Sequence, residues 1–134
     1  MIDIESQVFT TVATALRTEY GASNIYVAPE YVSQPPKFPA VFIVEQDNTV
    51  HLRGRDSADI ENFVNVMYQV DVFSNKNTGK KIQAKEIIAL VDDQLAQMGF
   101  SRTFLNPVQN MNDATIYRMT ARYQAVVGKD QTIY

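Results

Sequence analysis

Phe63-Val64-Asn65-Val66-Met67-Tyr68-Gln69-Val70-Asp71-Val72-Phe73 is the stretch on which the fold turns. Val64, Val66, Tyr68, Val70 and Val72 are apolar, and they alternate with Asn65, Met67, Gln69 and Asp71. Successive strand side chains point to opposite faces, so a period of two predicts a strand with one face buried and the other half-exposed. Sheets that leave one face open are commonly antiparallel. The same parity returns from Ala114 to Val127. There Tyr117, Met119, Ala121, Tyr123, Ala125 and Val127 form an apolar face, and Arg118, Thr120, Arg122 and Gln124 form the other.

Between these strands the period changes. From Lys80 to Met98, the residues Ala84, Ile87, Ile88, Val91, Leu95 and Met98 make one helical stripe, and Gly99 follows as a stop. A second stripe, Ile4, Val8, Val12 and Leu16, widened by Phe9 and Ala15, predicts a helix from Asp3 to Tyr20. Asp3 suits its N-cap and Gly21 its end.

The remaining segments read as strands and connections. Asn24 to Pro29 is a short strand, and Pro35, Pro36 and Pro39 exclude regular structure after it. Ala40-Val41-Phe42-Ile43-Val44 is a continuous apolar run, expected as a central strand buried on both faces. Asp47 to Glu61 reads as a long loop, Asn75 to Gly79 as a turn, and Phe100 to Val108 as a strand ended by Pro107. Asn110 to Asp113 reads as a turn, and residues 129–134 as an unanchored tail. The expected fold is a single α+β domain over residues 1–134. Its two helices pack on one face of a four- to five-stranded antiparallel sheet, in the order α-β-β-β-α-β-β.

Composition narrows the function. With 134 residues, 46% hydrophobic and 20% charged, the chain is an ordinary globular domain. Its longest apolar run, Ala40 to Val44, is strand-sized and far from the ~20 residues of a membrane span. Acids at Asp3 and Glu5 replace the basic start of a signal peptide, so a cytoplasmic site of synthesis and no membrane partner are expected. Cysteine is absent, which removes disulfides and thiolate chemistry. The net charge of −3, from 12 bases and 15 acids, does not suit an autonomous binder of the DNA groove.

Signatures of catalysis are sparse. The sequence has no Gly-x-Ser-x-Gly elbow, no phosphate-binding Gly-x-x-x-x-Gly-Lys-Ser/Thr loop and no His-Glu-x-x-His pair. Its one histidine, His51, lies in the polar stretch 47–61, without the neighbours that acid–base work needs. Asp92 and Asp93 are adjacent on a helix, so their carboxylates diverge by ~100°. Asp56, Asp59 and Glu61 lack the spacing of a calcium-binding helix–loop–helix motif. No enzymatic activity, no cofactor and no metal site are expected.

Two places remain for function. The stretch 47–61 carries His51, Arg53, Arg55, Asp56 and Asp59, a mixture of signs that can pair between neighbouring subunits. The polar sheet face carries Asp71, Arg118 and Arg122, where like parity allows cross-strand charge pairs. Tyr117 and Tyr123 share the apolar parity, opposite the arginines, which argues against a base-stacking surface.

The chain as a whole resembles the tail-terminator family (tail-completion, head–tail joining proteins) of long-tailed bacteriophages and prophages. The likeness rests on the amphipathic first helix, on Phe38-Pro39-Ala40-Val41-Phe42-Ile43, and on Ala84-Lys85-Glu86-Ile87-Ile88 through Leu95. It continues through Met98-Gly99-Phe100-Ser101-Arg102-Thr103-Phe104 and Ile116-Tyr117-Arg118 to Ala121-Arg122-Tyr123. It implies a structural virion protein, assembled in the host cytoplasm as a homo-hexameric ring. Such a ring ends tail-tube polymerisation, meets a head-completion or stopper protein, and lets DNA pass through its lumen without sequence-specific binding. It also implies that the stretch 47–61 points toward that lumen. Another head–tail connector, a stopper or an adaptor, is the alternative, followed by a small nucleic-acid-binding α+β domain.

Overall fold

The computed structural model describes residues 1–50, 62–108 and 115–134. In chain order the elements are α1 (Glu5–Tyr20), β1 (Tyr26–Ala28), β2 (Ala40–Val50), β3 (Phe63–Ser74), α2 (Lys80–Met98), β4 (Ser101–Val108) and β5 (Tyr117–Gly128). They make an α+β fold with the strand order β1-β2-β3-β5-β4. β3 lies at the centre, antiparallel to β2 on one side and to β5 on the other.

The helical stripes and the strand parity meet where the sequence periods predict. Val8, Val12 and Leu16 of α1, with Ile87, Val91 and Leu95 of α2, are wholly buried. They share one core with Val66, Tyr68 and Val70 of β3 and Met119, Ala121 and Tyr123 of β5, and Tyr117 packs at its margin. Ala13 rather than Ala15 is the buried alanine of the first stripe. Gly99 ends α2 at φ 102°, where the Phe100 amide donates to the Leu95 carbonyl, closing the helix as a glycine terminator does.

The other sheet face carries a second, smaller apolar cluster of Ala28, Ala40, Phe42 and Phe73. Its cover is the segment 29–39, which contributes Val32 and Phe38, and Tyr31 sets its ring 5.4 Å from that of Phe42. The run Ala40 to Ile43 is thus buried on both faces, as its unbroken apolar character predicts.

Four expectations are corrected. The sheet is mixed, because β1 runs parallel to β2, with Tyr26 beside Ala40 and Ala28 beside Phe42. The proline-rich segment 29–39 carries the chain back across one face, so the second strand enters in the same direction as the first. The stretch 47–61 is not wholly a loop, since β2 continues to Val50, where it faces Val64. A bulge between Glu45 and Asp47 sets Gln46 aside and lets pairing resume through residues too polar to announce a strand. His51, Arg53, Arg55, Asp56, Asp59 and Glu61 lie outside the described residues, as does the turn Asn110 to Asp113.

The tail is also anchored. Ile133 bridges Val127, the Tyr134 amide donates to the Val126 carbonyl at 2.8 Å, and the Tyr134 ring meets Phe63 at 5.5 Å. Lastly, β4 runs through Pro107 instead of ending there. β4 is the last strand of the sheet, so a residue lacking an amide hydrogen is tolerated.

Candidate subunit-contact face

The face of the sheet away from the helices has an order imposed by register. Asp71 of β3 stands opposite Thr120 of β5, Gln69 opposite Arg122, and Phe73 opposite Arg118. On the far side of β5, Phe104 of β4 stands opposite Arg122. Directly opposed side chains on one face are near enough to interact, so polar residues placed this way form a ladder.

The ladder is continuous. Arg118 Nε donates to Asp71 Oδ1 at 3.0 Å, and Arg118 Nη2 lies 3.0 Å from the same oxygen. The Thr120 hydroxyl also donates to that oxygen. Asp71 Oδ2 accepts from Gln69 Nε2 at 2.9 Å, and Gln69 Oε1 accepts from Arg122 Nε at 3.0 Å. One carboxylate and one amide thus tie two guanidinium groups into a single row.

Aromatic rings fix the other side of each guanidinium. Arg118 lies over Phe73 at 5.4 Å and Arg122 over Phe104 at 4.9 Å. Cation–π contact of this kind holds a planar cation flat against the sheet. The rings are therefore capped by the protein's own arginines or, for Phe42 and Phe73, by the 29–39 segment. A base would have to displace these caps before it could stack.

The sequence places Asp71, Arg118 and Arg122 together, and the structure does bring them into one network. Their roles differ. Asp71 is 4% exposed, with both oxygens engaged, so it organises the row from beneath. Arg118 is half-buried, whereas Arg122 is exposed and has a neutral partner in Gln69. Arg122, with exposed Asn65 and Gln124 nearby on the same face, is what a neighbouring molecule would meet. Gln69 and Thr120, which the sequence places on this face without a partner, and Phe104, which it does not place there, complete the ladder. Parity shows the face that a residue shares, but only register shows what stands opposite it.

A groove of about 320 Å³ continues this face, lined by Asn65, Met67 and Gln124 together with Asp47 and Tyr134. On the helix side, Asp92 Oδ1 accepts from the Tyr123 hydroxyl at 3.0 Å and pairs with Arg102 at 3.1 Å, tying α2 to β4 and β5. That pair closes the core rather than offering a site. No protein-family model and no curated protein matches the chain.

Proposed function

We propose that this chain is a structural ring subunit of the tail-terminator type, capping a phage tail tube and joining it to the head-completion proteins. The observation that carries the reading is the flat, pre-ordered ladder Arg118–Asp71–Gln69–Arg122 on the helix-free sheet face. A cyclic assembly of identical chains uses heterologous contacts, so each subunit needs two different patches. This face is a rigid candidate for one of them. Its side chains are already held in place, so little conformational freedom remains to be lost on association. The stretch 51–61 is proposed as a second patch on its charge alone, with Arg53 and Arg55 set against Asp56 and Asp59 of a neighbour.

The two helices on a five-stranded, mostly antiparallel sheet are near the two-helix, antiparallel-sheet fold that the resemblance implies, and they add support. Both helices occupy one sheet face, and on the other the part beyond the cover of residues 29–39 is left for lateral packing.

The test is assembly. Light scattering on the purified chain, alone and with tail tubes, should give a species of about six times 15.1 kDa, and particle images should show closed rings. A phage lacking the protein should make tails of uncontrolled length. A chain that stays monomeric in the presence of tubes, together with normal tails in its absence, sinks the proposal.

A further inference from the structure

Near the start of α1 three carboxylates converge from distant parts of the chain. The carboxylate oxygens of Asp3, Glu5 and Glu45 lie within 4.8 Å of one another. Asp3 and Glu5 by themselves need no ligand, because Asp3 Oδ1 accepts the Glu5 amide at 3.0 Å and acids at a helix start are ordinary. Glu45 changes the situation. It sits at the β2 bulge, directly opposite Tyr68, and so faces the helices beside the first two acids.

Two polar atoms at this point lack partners among the described residues. Glu45 Oε1 is buried without a hydrogen bond, and so is the hydroxyl of Tyr68, a side chain that is 0% exposed. Tyr68 stands opposite Glu45 in the register and shares its face, and its phenol is raised first by burial and then by the charges of Glu45, Glu5 and Asp3. Leaving a buried polar group unsatisfied is costly, and the cost is greater where like charges crowd around it.

We propose that Asp3, Glu5 and Glu45, with the Tyr68 hydroxyl near them, form a binding site for a hard divalent cation of the calcium class. The chemistry of the donors selects the ion. Three carboxylates without nitrogen or sulfur suit an oxygen-seeking cation. Calcium accepts six to eight oxygens at ~2.3–2.6 Å in flexible geometry and so suits an irregular set of carboxylates, whereas magnesium demands a near-ideal octahedron at ~2.1 Å. The Tyr68 hydroxyl, which bonds to none of the three carboxylates directly, would donate to a water carried by the ion.

Binding would fasten the α1 start to the β2 bulge, which Asn48 already approaches through its Nδ2 bond to the Ile2 carbonyl at 2.8 Å. The site is independent of the ring assignment.

The experiment uses the full chain after treatment with a chelator. Tb³⁺ is titrated at constant ionic strength, its emission is excited through tyrosine, and Ca²⁺ is added as competitor. One saturable site displaced by Ca²⁺ is expected. Glu45→Gln should weaken it by about tenfold or more, since affinity follows the count of charged ligands. Ca²⁺ should raise the unfolding temperature of the natural chain, and that of Glu45→Gln by less at the same concentration. Circular dichroism checks that the variant folds, and Asp3→Asn, at an exposed position, serves if it does not. Tb³⁺ binding that does not saturate, or that is equal in the natural chain and a folded variant, overturns the proposal. Stabilisation by lower pH alone, with none from Ca²⁺, overturns it as well.

Discussion

Arg118 and Asp71 meet across β5 and β3 with two guanidinium nitrogens at 3.0 Å from a single oxygen, Oδ1. Asp71 is 4% exposed, so the pair lies largely out of water. Removing one partner strands the other, and that penalty exceeds what the pair itself contributes. Asp71→Ala should therefore destabilise the fold by about 2–3 kcal/mol in urea unfolding. Asp71→Asn should cost less, because it retains an acceptor for Arg118.

On the proposed ring reading, a change at Arg122 should separate assembly from folding. It is exposed, and its ties to Gln69 and Phe104 lie at the surface. Arg122→Glu should change unfolding free energy by no more than about 0.5 kcal/mol while abolishing ring formation. Light scattering and chemical denaturation on one sample measure the two effects separately. Intact rings from this variant would show that the ladder is not the contact.

The core prediction is simpler. Val91 and Leu95 are 0% exposed between α2 and the sheet. Leu95→Ala should cost about 2–5 kcal/mol and Val91→Ala rather less, as buried truncations do. Near-zero changes in denaturant midpoint would mean that α2 does not pack as described.

Much of this arrangement was readable from periodicity. The stripes of α1 and α2 and the parity of β3 and β5 depend only on spacing along the chain, and they set both the core and the shared face of Asp71, Arg118 and Arg122. What spacing does not encode is direction and register. A three-residue strand such as β1 has no period to reveal, and its parallel pairing follows from the path of residues 29–39. The β2 bulge hides a strand behind Glu45, Gln46 and Asp47 by shifting its alternation by one residue. Glu45 stands some forty residues from Asp3 and Glu5 in sequence, so only the fold makes the three neighbours.

Tyr123 gives a pH prediction with a definite sign. Burial, and then the adjacent Asp92, raise its phenol above the ordinary value of 10.0. A group raised in the folded state stabilises that state fully below its unfolded value, and the contribution fades as pH climbs toward the folded one. Stability should thus fall above pH ~10, with tyrosinate absorbance from Tyr123 appearing only as the chain unfolds. Tyr123→Phe should flatten that alkaline decline. An unchanged slope would assign it to other groups.

The anchored C-terminus has a consequence for solubility. Beyond Ser101, β4 no longer accompanies β5, and residues 132–134 take up that ladder position through the Gly128 amide and the Val126 carbonyl. An unoccupied strand border is an invitation to intermolecular pairing. The last residues therefore serve as a selvedge on the sheet. Proteolytic trimming, or a fusion that pulls them away, would uncover an adhesive margin and leave a sheet prone to clumping.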